Sequence, residues 1–393
     1  MDEEDGPGRP TWFQGGAYFF NAKGRGGLTM KITDIETMVL AVPTKRVIAD
    51  SQNVLHQFEM ILARIHSDEG MSGTGYTLTV GSGGRLIKEA MDLYLKKPLI
   101  GQDPFRVRKI WNDMYWGELH WIGRAGVTTV AMAALDIATW DLMAKACKKP
   151  LWQLLGGCRE EVPSYNTDGG WLSWSEEELV RDMSRMIEEG FQGVKMKVGQ
   201  KDPWADLKRV EAVRRAIGDH VRLMVDANQK WDLPTAMTFG KKLEDFDVFW
   251  LEEPLHPDDI KGHARLAQAL NTPIALGEHV YTKYAFRDYI EQGAVEIVQV
   301  DVTRVGGVTE FMTVASLAES NNLLISPHAG DLMQVHQHLV CATPNALFLE
   351  YIPWGLDLFV EPVVVRNGYL QAPQAPGAST DIREEMIERY RVA

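Results

Sequence analysis

Three acidic residues recur at equal intervals in the second half of the chain. Asp226 closes Met224-Val225-Asp226, Glu252 closes Phe249-Trp250-Leu251-Glu252, and Glu278 follows Ala275-Leu276-Gly277. Each apolar run reads as a short buried strand. Three carboxylates brought together cannot all stay ionised without a cation between them. An all-oxygen set suits Mg2+, which keeps positions open for water and substrate. Zinc suits it less, because no His or Cys accompanies the trio. Glu253 competes with Glu252 for the ligand role, but strand alternation points the two to opposite sides.

Proton-transfer groups sit at matching places. In Lys195-Met196-Lys197, alternation puts both lysines on one side and Met196 on the other. Buried lysines are costly unless they pair with carboxylates or do chemistry. Each cation disfavours charge on the other, so the pair is expected to make a better base. Asp301 and His328 close two further strands, adjacent in order. A carboxylate behind an imidazole fixes its tautomer and raises its basicity, as a general acid or base requires. Glu350 lies on the last strand, in Leu349-Glu350-Tyr351.

Residues with such roles must share one rim. From Val162 onward short apolar strands alternate with amphipathic helices such as Ser175–Glu189 and Trp204–Ile217. The strands read as Val162–Asn166, Gly193–Val198, Val221–Asp226, Val248–Glu252, Pro273–Gly277, Glu296–Asp301, Leu323–Pro327 and Ala346–Tyr351. Eight units within about 190 residues predict a closed parallel barrel, with the chemistry at the C-terminal strand ends. A doubly wound sheet is the alternative, and no GxGxxG opens a helix to support it. The preceding block reads as α+β. It has strands over 30–40 and 59–65, a Gly-rich turn region over 70–84, and helices from about Gly84 to Ala146, the strongest over Val127–Lys145. The expected domains are therefore a flexible tail over 1–29, a first domain over 30–150 completed by 353–393, and a barrel over 151–352.

Composition narrows the partners. The formal net charge of -13 opposes nucleic-acid binding, since phosphates demand a Lys/Arg excess. No run of about 18 apolar residues predicts a membrane span, and the acidic start Met1-Asp2-Glu3-Glu4-Asp5 lacks the apolar core of a signal peptide. Cys147, Cys158 and Cys341 form neither a disulfide framework nor a zinc motif and are expected to be small buried hydrophobes, as suits a reducing cytoplasm.

These residues, taken in order, resemble the enolase superfamily and specifically its mandelate racemase subgroup. The resemblance runs from Met30 to about the C-terminus. Its carriers are Lys195-x-Lys197, the Asp226/Glu252/Glu278 trio, the His328–Asp301 dyad, the helix segment Ala134-Leu135-Asp136-Ile137-Ala138-Thr139-Trp140-Asp141 and the stretch from Pro150 to Gly157. It implies an α/β fold, a (β/α)7β modified TIM barrel under an α+β capping domain. It further implies Mg2+ on Asp226, Glu252 and Glu278, with a small-molecule carboxylate bound to the metal. Lys197, tuned by Lys195, would serve one face of the α-carbon and His328, held by Asp301, the other. Glu350 matches the residue that hydrogen-bonds the substrate carboxylate. Relatives are commonly homo-oligomers, which is the expectation here too.

Two features depart from the racemase itself. His279 stands where Asn is expected, and the loop from Arg46 to Gln52 is polar where an aromatic substrate would want apolar cover. His56 and Tyr76 are expected on the surface. Sugar-acid dehydratases of the subgroup, acting on an aldonate or aldarate, fit these features better. A racemase, epimerase or cycloisomerase sharing the same residues is the alternative. A non-catalytic relative would need a broken site, and this one is intact.

Overall fold

A computed structural model describes residues 30–330 and 332–393. The predicted tail over 1–29 lies outside the described residues. The first domain opens with an antiparallel meander, β1 (Ile32–Ala49), β2 (Val54–Ser67) and β3 (Ser72–Val80). β3 runs through the segment that composition marks as a turn. Its glycines serve close packing instead: a Cβ on Gly73 or Gly75 would lie 2.2 or 2.1 Å from a carbonyl oxygen of the helix Val127–Ala146. That helix lies flat on the sheet because two strand positions carry no side chain.

The same helix corrects the reading of the chain as lacking any apolar span. Among the described residues it alone is long and apolar enough to cross a membrane, but 83% of its most apolar window is buried within the fold. A helix apolar all round is what a core position between a sheet and a barrel requires. Its acids fasten the layers. Asp141 accepts Thr74 N at 2.8 Å from β3 and Ala378 N at 2.6 Å from the C-terminal segment. Asp136 reaches the barrel, where it accepts Thr309 N at 2.9 Å and pairs with Thr309 Oγ1 at 2.7 Å.

Burial pushes the Asp136 carboxyl up to about 7, against the opposing Thr309 hydrogen bonds. The folded protein therefore holds a proton there that the unfolded chain releases above its ordinary value of 3.8. This raised acid makes stability fall as pH climbs from about 4 to about 7, by an amount on the order of a few kcal/mol. Asp136→Asn is expected to flatten that part of the dependence. Denaturant melts of both proteins across that range check it, and parallel curves would refute it.

The second domain holds eight parallel strands: β4 (Glu161–Asn166), β5 (Gly193–Lys197), β6 (Arg222–Asp226), β7 (Val248–Glu252), β8 (Ile274–Leu276), β9 (Ile297–Val298), β10 (Leu324–Ile325) and β11 (Leu349–Tyr351). They pair in order, β11 pairs with β4, and a bridge from Ile325 to Ala346 links the remaining edge. A helix lies between each consecutive pair, so the fold is the expected (β/α)7β barrel with an α+β cap. The last four strands are shorter than the apolar runs suggest. At Asp301 the reason is local: its Oδ1 accepts Thr303 N at 2.7 Å, which turns the chain out of the sheet.

The lumen is filled in layers. Tyr165, Met224, Trp250, Ala275, Ile297 and Phe348 form an apolar plug, with Tyr165 packed edge-on to Trp250 at 5.3 Å. The lysines and carboxylates of the strand ends sit above this plug, while Arg222, at the start of its strand, lies over the Phe348 ring at 5.1 Å. Tyr76, expected on the surface, is fully buried; its hydroxyl donates to Leu332 O at 3.0 Å. Its neighbour Thr77 donates to Thr303 O at 3.0 Å, so β3 grips the loops beyond two rim strands. His56 is exposed as expected. The chain after Pro353 touches both domains. β12 (Val365–Arg366) and β13 (Tyr369–Gln371) form a hairpin, and β13 pairs antiparallel with β4. Val39 N donates to Ala393 O at 2.9 Å. Cys341 is buried, but Cys147 and Cys158 are exposed, against expectation.

Candidate active site

Strand register brings the rim residues side by side. Lys197 is paired with Asp226 across β5 and β6, and Asp226 with Glu252 across β6 and β7. Lys197 Nζ lies 2.5 Å from Asp226 Oδ2. Lys195 Nζ lies 2.6 Å from Glu252 Oε1 and 2.8 Å from Glu350 Oε1. The second oxygen of Glu252 accepts from Trp250 Nε1 at 3.0 Å and Gln299 Nε2 at 2.7 Å. Glu350 Oε2 accepts Ala329 N at 2.7 Å. Across the rim, His328 Nδ1 meets Asp301 Oδ2 at 2.6 Å and His328 Nε2 meets Glu278 Oε2 at 2.7 Å. All eight predicted site residues are buried, and four of them, Lys197, Glu278, His328 and Glu350, line one cavity, with the others in contact behind them.

Two expectations need correction. Glu253 does not continue the strand that ends at Glu252. Its backbone is left-handed, φ 39°, which breaks the alternation, and its side chain is buried beside His279 at 3.2 Å. Neither lysine is lowered overall, although Lys195 does push Lys197 down. Burial alone would lower Lys195, yet Glu252 and Glu350 hold it well above the ordinary lysine range. Burial likewise opposes charge on Lys197, and Asp226, Glu252 and Glu278 together hold it above the ordinary lysine range against burial and Lys195.

The balance of charge bears on a metal. Burial raises Glu252 to about 8, and Asp226 and Glu350 add to it against Lys195. Glu278 goes the other way: burial would raise it, but His328 and His279 hold it well below the carboxylate range. The rise in Glu252 comes chiefly from burial, and the nearby Asp226 and Glu350 add negative charge that a divalent cation would relieve. Asn228 Oδ1, also on the pocket wall, is buried without a hydrogen-bond partner. These oxygens fit Mg2+. Among the described residues the ligand atoms of Glu253, Glu278 and His279 form the one acid–imidazole group within 4.8 Å of one another, and Asp226 and Glu252 do not join Glu278 at that distance. That grouping is a weaker cation site. Against burial, Glu253 and Glu278 raise His279 to about 10, and a protonated ring nitrogen donates rather than ligates.

Sequence reasoning missed several contributors. Gln299 lies two residues before Asp301, so alternation was enough to turn it inward toward Glu252. Trp171 and Trp354 carried no local signal. They stack at 5.3 Å and wall a cavity of about 510 Å³ that holds Lys197, Glu278, His328 and Glu350.

Residues 34–156 match the mandelate racemase / muconate lactonizing enzyme N-terminal domain, and residues 178–386 the enolase C-terminal domain-like family. The chain belongs to the enolase superfamily, in its mandelate racemase subgroup. It is 37% identical to the 3,6-anhydro-alpha-L-galactonate cycloisomerase of Streptomyces coelicolor, over 92% of this chain and 99% of that one. It is 38% identical to the L-talarate/galactarate dehydratase of Salmonella typhimurium, over 88% and 86%. A crystal structure of that dehydratase liganded with Mg and L-lyxarohydroxamate superposes with a TM-score of 0.89 at 34% identity, covering 95% of this chain and 96% of the other.

Proposed function

We propose that this chain is a Mg2+-dependent dehydratase converting a sugar acid to a 2-keto-3-deoxy acid. Asp226, Glu252 and Glu278 would hold the metal. When bound there, Mg2+ supplies positive charge for the substrate carboxylate and for the negative charge that grows as the α-proton leaves. Lys197 Nζ is the base on one face, and Lys195, clamped by Glu252 and Glu350, stands beside it. Glu350 is held below the carboxylate range by Lys195 and His328 in spite of burial. Ionised, it accepts from Lys195 and orients it.

His328 Nε2 holds a proton on the other side of the pocket. The α C–H bond breaks toward a base and the β C–O bond breaks as His328 protonates the departing hydroxyl. Water leaves, and the resulting enol becomes the ketone. The observation that carries this reading is the pair of proton-transfer groups, Lys197 and His328, facing one cavity from separate strands of the rim. The dehydratase relatives support it, since one acts on talarate and galactarate by name and another on arabinonate.

The cycloisomerase relative favours a second reading in which the same base serves ring chemistry without loss of water. Product mass separates the two, since dehydration removes a water and cycloisomerisation keeps every atom. The test is a thiosemicarbazide-type assay for 2-keto acid across a library of sugar acids with Mg2+ present. At least one member is expected to yield keto acid. The reading fails if none does while some substrate is racemised or cyclised at a normal rate.

A further inference from the structure

The catalytic cavity has two unlike halves. The barrel half carries every basic side chain on its wall among the described residues: Lys197, Arg304, His279 and His328. Lys197 is tied to Asp226, and the two imidazoles to Glu278. Arg304 Nη1 donates to Glu278 O at 3.4 Å. The capping half contributes no Lys, Arg or His to the wall among the described residues. It offers the neutral polar Gln52, Asn53 and Thr79 beside the apolar Leu55, Phe58, Leu78, Ile87 and Val130, with one acid, Asp50.

The two cations of the covering loop turn elsewhere. Lys45 pairs with Asp357 at 3.6 Å. Arg46 pairs with Asp182 at 3.7 Å and lies over the Trp174 ring at 5.1 Å. Both line a neighbouring cavity of about 410 Å³, which shares the stacked Trp171 and Trp354 with the first. The loop is held in this arrangement. Asp50 Oδ1 accepts Gln52 N and Asn53 N, each at 2.6 Å, and Ser51 Oγ donates to Ala227 O at 2.7 Å. Exposed Lys230 donates to Ser51 O at 3.2 Å and does not line the cavity.

A sugar acid whose carboxylate is bound at the metal side extends its other end toward the cap. A second carboxylate there would lose water and stand near Asp50 among neutral side chains, with no cation from the cap to repay the loss. We infer, resting on the sugar-acid reading, that the substrate is a monocarboxylate with an uncharged far end, an aldonate or a deoxy or anhydro form of one, and that aldarate diacids are excluded by this cap.

The test uses matched pairs, the stereoisomeric aldohexonates and the aldarates that share their configuration. Calorimetry on the Lys197→Ala protein loaded with Mg2+ reads binding without turnover, and kcat/KM of the wild type on the same pairs gives a second measure should that variant fold poorly. The monoacid of the preferred pair is expected to be favoured by roughly 100-fold, since like-charge contact costs several kcal/mol. Asn53→Arg, which places a cation on the cap wall, is expected to improve the diacid by about tenfold or more. A diacid that binds or turns over as well as its monoacid overturns the inference and leaves the dehydratase reading standing. A monoacid that binds preferentially but yields no keto acid overturns the dehydratase reading and leaves the inference standing. Binding of neither member of any pair removes both.

Discussion

Replacing His328 with Asn is expected to lower dehydration by roughly a hundred- to ten-thousand-fold, the usual contribution of a positioned acid or base. Asparagine has the shape to stay beside Asp301 and Glu278 but carries no proton to give. Loss of the β-hydroxyl should stop, while exchange of the α-proton with D2O continues from the Lys197 side. Lys197→Ala should instead stop exchange and dehydration together if Lys197 is the base. Keto-acid formation and deuterium incorporation, measured on the same samples, separate the two steps. Full dehydration by His328→Asn would remove His328 from the mechanism. Circular dichroism guards against a trivial explanation, because His328 also joins the loop after β10 to Asp301 at 2.6 Å.

Removing the metal should abolish turnover altogether, with Mg2+ restoring it after a chelator is diluted away. Asp226→Asn, Glu252→Gln and Glu278→Gln are each expected to weaken Mg2+ by about 100-fold or more, since losing even an outer partner of a ligand costs about 10- to 100-fold. Glu253→Gln should cost about tenfold, as a partner of His279 rather than a ligand. Calorimetric titration of Mg2+ into the four variants and the wild type measures this directly. Unchanged affinity in all three ligand variants would sink the assignment. Loss of binding in Glu253→Gln alone would place the metal on the Glu253, Glu278 and His279 group instead.

The contrast between Glu252 and Glu253 shows where a sequence stops being informative. Alternation is a property of extended backbone, and it placed Lys195, Lys197, Asp226 and Glu252 on the inner face of the barrel, where they are found. It failed one residue later because Glu253 leaves the strand with positive φ. Nothing in Leu251-Glu252-Glu253-Pro254 announces that turn. The gap between β2 and the first helix failed in the same way. Glycines at 73 and 75 mark a turn by composition, but here they admit a helix backbone that is distant in sequence.

By itself, then, the sequence determined what is periodic or local. It carried the strand and helix alternation that closes a barrel, the equal spacing of three strand-end carboxylates, and the lysines one residue apart. It also carried the His328–Asp301 dyad, because adjacent strands in a barrel put their ends together. Only the tertiary structure decided what depends on distant segments meeting. It buried Tyr76 against the loop beyond β10, set His279 between two glutamates, and turned the cations of the capping loop away from the catalytic cavity. The physical reason is that a repeat or an alternation is written in neighbouring residues. The surroundings of a side chain are set by whatever packs against it, and for Tyr76 and Arg46 that partner comes from the other domain.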